Sequence, residues 1–187
     1  MRIRHTLAIA MTLMFAAVAW PAAAQSEEHP GPRGPSDGIK VHGHWTIELT
    51  NPDGSVAGRH EFENALLNQG ARVLATLLQG SAPRGFWVVQ VGHTSGGPCG
   101  PNATPCFLAE PGSPIQGALL SVALMANGEA VKLSGTAMAG LDGDIALVTT
   151  TQIIGLQSFV FSQRTLPAPI HVVAGQSITV SVVFSFS

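Results

Sequence analysis

The chain has 187 residues, a formal net charge of −2 at pH 7, and only 11% charged residues beside 45% hydrophobic ones. Because charge is sparse and forms no basic stripe, nucleic-acid binding through phosphate contacts is disfavoured. Once the N-terminal segments described below are set aside, about 150 residues are left, which suits one domain with its own hydrophobic core.

Residues 1–24 have the layout of a secretory signal peptide. Arg2 and Arg4 precede an apolar run at 7–20, and Ala22–Ala24 form a small-residue cleavage site. A membrane anchor is the alternative, but the apolar run is too short to span a bilayer comfortably. The sequence therefore predicts an exported bacterial protein that is secreted, periplasmic or at the cell surface.

The segment 25–38 is polar and rich in Pro and Gly. Such a composition cannot bury enough apolar surface to offset the entropy of ordering, so we expect a disordered tether. A single domain follows at 39–187. It contains no second long apolar run, and no transmembrane segment is expected in the mature chain.

The two cysteines, Cys99 and Cys106, are separated by a short stretch rich in Gly and Pro. Export places them in an oxidising compartment, which favours a local disulfide over two free thiols. A metal site would need more ligands nearby, and His93 is the one candidate. No cofactor is implied.

A strand at Val41–Thr50 is predicted by strict alternation of apolar and polar residues. The Asn51–Gly54 turn and a returning strand at Val56–Phe62 complete a hairpin. A helix follows, with Asn64 or Asn68 as its N-cap and Gly80 at its C-terminal end. Its apolar stripe consists of Val73, Leu74, Leu77 and Leu78.

The remainder of the chain reads as short strands separated by turns. A nearly continuous apolar run predicts a central strand at Phe86–Val91, and His93–Pro114 is expected to be a long irregular loop. Pro167 and Pro169 are expected to end the fourth of the later strands. The later strands are predicted at Ala118–Met125, Ala130–Met138, Ile145–Thr151, Gln157–Arg164 and Ile178–Phe186. The fold class is mostly β: a single β-sandwich, or an open barrel, of about 7–8 antiparallel strands with one α-helix.

Several motifs resemble small β-domains of phage tail-fibre and minor tail proteins. They are a helix closing in Leu-Leu-x-Gly, a strand ending in Gly92-His93, and the terminal sequence FVFSQRTLPAPIHVVAGQSITVSVVFSFS. The resemblance covers Phe62–Ser187 in the order of elements and implies a turn at Gly175-Gln176. It also implies core positions at Phe159, Phe161, Phe184 and Phe186. The motifs are structural, and the resemblance implies no catalytic residue.

Three histidines, His42, His44 and His60, are the candidate metal ligands. His42 and His44 share one face of the first strand. If the turn carries a bulge, His60 lies opposite Thr46 on that face, whereas a two-residue loop places it opposite Trp45. The hydrophobic pattern favours the second register, and solvent-facing histidines are then the expected outcome.

Contact residues are expected in the loop at His93–Pro114, which contains the predicted disulfide. His93, Asn102 and Phe107 are the candidates. Trp45 and Trp87 are candidate stacking platforms for a carbohydrate, although strands this apolar favour core positions for both. The sequence contains no recognisable catalytic motif.

The sequence thus favours a non-enzymatic, exported structural or adhesion-type domain that acts by protein contact. It is expected to form a homo-oligomer or to bind another surface protein, and self-assembly into oligomers or filaments is the natural extension. The alternative is a secreted module that binds a small ligand or a carbohydrate.

Overall fold

The computed structural model describes residues 40–93, 95–100, 104–125 and 128–187. The signal peptide predicted at 1–24, the tether predicted at 25–38 and the contact residue Asn102 lie outside these residues. Within the described ranges the chain is mostly β, with nine strands and one helix, which confirms the predicted fold class.

The strands pair into a single, nearly closed, barrel-like sheet. They are β1 (Val41–Thr50), β2 (Val56–Ala65), β3 (Phe86–Gly92), β4 (Cys106–Ala109), β5 (Ala118–Leu124), β6 (Ala130–Met138), β7 (Gly143–Ile154), β8 (Gln157–Val172) and β9 (Ser177–Phe186); the helix is α1 (Asn68–Leu78). Their order around the sheet is β2-β1-β9-β6-β5-β4-β3-β7-β8. All neighbours are antiparallel except β4 and β5, which are parallel.

The barrel interior is filled by alternate side chains of the strands, as the period of two requires. Its centre is an aromatic cluster in which Trp87 lies 4.9 Å from Phe161 and 5.8 Å from Phe184 between ring centroids. A smaller cluster of Val88, Ala109 and Ile153 packs on the outer face. β3 is therefore buried on both faces, as its apolar run predicted.

The loop predicted at 93–114 is not irregular throughout, because it contains β4. Four residues of this strand pair with β3, where Val91 lies opposite Cys106. The Cys99–Cys106 disulfide, with a Cα–Cα distance of 5.0 Å, ties the incoming chain to the start of β4. A four-residue strand is too short to show a periodicity, so only its partners reveal it.

β8 does not end at the prolines, contrary to the prediction. It continues through Pro167 and Pro169 to Val172, and its pairing with β7 shifts between Thr165 and Ile170. β8 is the last strand of the sheet order, so the prolines lie on an edge strand beside this irregular pairing. Proline is tolerated at such positions because no ladder hydrogen bond is lost.

The barrel closes between β2 and β8 through side chains rather than a full ladder. Leu66 and Ser162 form an isolated bridge. The Arg164 guanidinium donates to the Glu63 carbonyl, and the Gln69 side-chain oxygen accepts the Val160 N–H at 3.0 Å. We call this boundary the seam. It explains why the order of strands begins and ends at β2 and β8.

The helix is not capped by an asparagine side chain, so both predicted N-caps are wrong. Asn64 lies in β2, Asn68 is the first helical residue, and the N-cap is Leu67. The Leu67 N–H donates to the Phe161 carbonyl at 3.1 Å, so contact with β8 sets the start of the helix. The predicted C-terminal glycine is confirmed, because Gly80 has φ +68°.

Two of the four phenylalanines that the phage-tail resemblance implied as core residues are buried: Phe161 and Phe184. Phe159 is half-buried beside the helix, and Phe186 is exposed at the end of β9. The implied turn at Gly175 is present, with φ +88°.

Replacing both Cys99 and Cys106 by serine is expected to lower the free energy of unfolding by about 2–3 kcal/mol. The estimate follows from the loop entropy of so short a ring in the unfolded chain. Urea unfolding of the double variant, compared with the reduced and oxidised native chain, measures it. A double variant as stable as the oxidised chain would contradict the expectation.

Candidate functional site

The three candidate metal ligands are not brought together. His42 and His44 are exposed on the outer face of β1, whereas His60 lies opposite Ile47. Ile47 is a core residue, so His60 is on the other face of the sheet. Neither predicted hairpin register is correct, because Trp45 pairs with Phe62 and a bulge beside Leu49 shifts the ladder. Among the described residues no three His, Cys, Asp or Glu side chains form a group that could hold a metal ion.

The tryptophans are core residues and do not form a stacking platform. Trp45 is 0% exposed and stacks on Phe62 at 5.9 Å between ring centroids. Trp87 is 9% exposed and belongs to the central aromatic cluster. A sugar needs the exposed face of an aromatic ring, and rings buried this deeply do not project from the surface as a platform.

The predicted contact loop is split by the fold. His93 is exposed, and its backbone bridges to Gly96 at 2.5 Å. Phe107 is not in a loop, since it lies on the outer face of β4 and packs on the smaller core cluster. The stapled segment therefore presents His93 but uses Phe107 for packing.

A polar depression of about 330 Å³ lies at the end of the barrel that carries His93. It is lined by His93, Ser95, Asp142 and Asp144 together with glycines. Asp142 accepts the Ala174 N–H at 2.7 Å, and Asp144 pairs with His171 at 3.0 Å. Both members of the latter pair are largely solvent-exposed. Such a pair contributes little to stability, and these carboxylates serve mainly to hold turns.

The opposite end of the barrel is apolar. Strand register places the ends of β5 and β9 and the β7–β8 turn at one end, together with the start of β1. The helix begins directly after β2 at the same end, and its Val73 is buried against the barrel. We call this the capped end. Six of the ten exposed large hydrophobic side chains of the described residues belong to it: Leu67, Leu78, Leu124, Met125, Leu156 and Phe186.

Exposure at the capped end is extensive. Leu78 is 70% exposed, Leu124 is 74% exposed, and Leu156 at the tip of the β7–β8 turn is fully exposed. The remaining exposed hydrophobic residues are spread over the outer wall and the other end. Soluble monomers seldom gather large apolar side chains in this way, and such patches mark contact sites.

Grooves flank the helix on both sides. One, of about 320 Å³, lies between the helix and the β7–β8 hairpin and is lined by Arg72, Thr76 and Phe159 among others. The second, of about 400 Å³, is lined by Leu74, Leu78, Phe186 and Ser187. The helix at the capped end thus has a groove along each of its two flanks.

A third groove, also about 400 Å³, opens in the barrel wall near the capped end. Its lining includes Trp87, Val122, Leu124 and Val131. Arg84 stands at this groove and donates to Glu110, whose second carboxylate oxygen accepts the Trp87 N–H at 2.8 Å. The ion pair therefore holds the start of β3 in place beside the opening.

The capped end was not predicted, although the sequence contains a signal for it. Leu156 stands in a tight hairpin turn, and Met125 directly follows a strand, where polar residues are the rule. Large apolar side chains at such positions indicate a contact surface. Their common location, however, depends on strand order.

Comparison with known proteins gives no match to a family model, to a curated protein or to a solved structure. No helix in the part of the chain that the structure describes is long and apolar enough to cross a membrane. The fold and the surface define a nine-stranded, barrel-like domain with one apolar end that is capped by a helix.

Proposed function

We infer that the chain is a non-enzymatic structural domain of an exported protein, that it works by protein contact, and that it self-associates through its capped end. One observation carries this proposal: six large hydrophobic side chains are exposed together at that end. The resemblance to domains of phage tail-fibre proteins agrees with a structural role, and the signal peptide predicted at 1–24 agrees with export.

The physical reason is the hydrophobic effect. Each leucine that moves from water into an interface contributes about 1.5–3 kcal/mol before the costs of association. Among the described residues the polar end offers no comparable surface, because its depression is lined by carboxylates, histidine, serine and glycine. Contact through the capped end also leaves the stapled segment and His93 accessible.

Replacing Leu78 and Leu156 together by lysine is expected to weaken self-association by about 100-fold or more, because two exposed leucines leave the interface and two charges enter it. Sedimentation velocity and light scattering of the purified protein across a concentration series measure this. Neither side chain is buried, so the variant should fold.

The matched control replaces Val56 and Met138 by lysine. Both are exposed hydrophobic residues outside the capped end, and the same charge is added. Association of this control should equal that of the native chain. Equal weakening in both variants would show a general charge effect and would contradict the proposed surface. A native chain that stays monomeric at every concentration would overturn the proposal of self-association itself.

A further inference from the structure

One stretch of the barrel wall lacks a strand partner. Residues Leu120–Leu124 of β5 pair with β6 on one side, but on the other side β4 covers only Ala118 and Leu119. β4 ends at Ala109, and the chain then leaves the wall through a turn. Within the described residues no strand forms a ladder with the outer backbone edge of Leu120–Leu124, and the start of β3 lies across the groove from it. Such an edge is a template for another strand.

β2 and β8, the strands on either side of the seam, also lack a full ladder there, but their edges are protected against pairing. β2 carries Arg59 and Glu61, and β8 carries Pro167 and Pro169. Charges and prolines are the usual means by which edge strands avoid association. The exposed part of β5 has neither, since its sequence from Leu119 to Met125 is LLSVALM.

This sequence is complementary to itself in the antiparallel direction. If Val122 lies on a two-fold axis, Leu120 pairs with Leu124 of the second copy and Ser121 pairs with Ala123. Leu119 then meets Met125, so every pair joins residues of similar character. Cross-strand pairs of this kind stabilise an antiparallel ladder, and a two-fold interface requires such self-complementarity.

We propose that β5 pairs with β5 of a second copy of this chain, antiparallel about Val122, so that two barrels share one continuous sheet. This proposal goes beyond the proposed function, because an antiparallel β5 pair points the two capped ends in opposite directions and leaves them outside this contact.

The side chains support this pairing. Val122 and Leu124 line the groove beside Trp87, and the second strand covers that groove from outside. Leu119 is 68% exposed on the outer face, and in the pair Met125 of the second copy packs against it. Both faces of the new strand pair therefore remove apolar surface from water.

Engineered disulfides test the register. Ser121 and Ala123 are exposed, and both native cysteines are already paired. Directly opposed residues have Cα atoms about 4.5–5.5 Å apart, which is within reach of a disulfide. A mixture of the S121C and A123C variants should form covalent dimers under mild oxidation, and neither variant alone should do so.

A second pair of variants tests the edge without new covalent bonds. S121K/A123K places lysines opposite each other twice across the two-fold axis, so association should weaken by about tenfold or more. The control V56K/A57K adds the same charge to exposed positions of β2 and should associate as the native chain does.

The outcomes are distinct. Association that persists without the S121C–A123C cross-link overturns the β5 pairing and leaves the capped-end proposal in place. Cross-linking of S121C or A123C alone, as strong as in the mixture, overturns this register. A native chain that is monomeric throughout overturns both proposals.

Discussion

Trp87→Ala is expected to lower the free energy of unfolding by about 3–5 kcal/mol, because the indole is the centre of the barrel's aromatic cluster. The indole joins β3 to β8 and β9, with Phe161 packed edge-to-face and Phe184 stacked. No other side chain of the cluster can fill the volume that alanine would leave. The cavity adds its own cost to the lost transfer free energy of the ring.

Urea unfolding followed by far-UV circular dichroism measures this effect without relying on tryptophan fluorescence. Leu156→Ala is the matched control, because it also shortens an apolar side chain but at a fully exposed position. Its stability should change by less than about 0.5 kcal/mol. A loss below about 1 kcal/mol for Trp87→Ala would show that the barrel collapses around the gap and that the aromatic cluster is not its structural centre.

Gly70→Ala is expected to destabilise the protein by about 3 kcal/mol, although the same change usually stabilises a helix. A Cβ atom at Gly70 would lie 2.3 Å from the Phe161 carbonyl oxygen and 2.7 Å from the Leu66 side chain. The obstacle is backbone on one side, so the helix must move away from β8. That movement would also disturb the hydrogen bond from Leu67 to Phe161.

Ala75→Gly tests the intrinsic helix preference at an exposed position of the same helix. It should cost about 1 kcal/mol through backbone entropy alone. Thermal and urea unfolding should therefore show that alanine is less stable than glycine at position 70 but more stable than glycine at position 75. A stabilised Gly70→Ala variant would mean that the helix does not sit closely on β8.

The two ends of the barrel differ in chemistry, and this difference bears on assembly. At the polar end, aspartate side chains accept hydrogen bonds that hold the turns. One of them is Asp53, whose pKa is lowered by hydrogen bonds from Ser55. The capped end instead exposes leucine, methionine and phenylalanine. The contrast between the two ends is the basis of the proposal that the capped end is the contact surface.

Prediction from sequence succeeded where the pattern was long and local. The bounds of the first strand were predicted correctly because alternation over ten residues is a strong signal, and those of Ala130–Met138 because a tight turn signal precedes it. Gly80 was correctly placed after the helix, since a left-handed residue is needed there. Prediction failed for β4 and for the hairpin register, where a few residues or one bulge decide the outcome.

The sequence by itself determined the class of the fold, the chain order of the strands other than β4, the helix and the pairing of its two cysteines. Periodicity, turn residues and spacing are local properties, so a sequence can show them. Only the tertiary structure decided that the sheet closes on itself, that His60 lies apart from His42 and His44, and that apolar residues from distant turns meet at one end. Strand neighbours are chosen by which faces can be buried together, and such non-local pairing leaves no mark in any single segment.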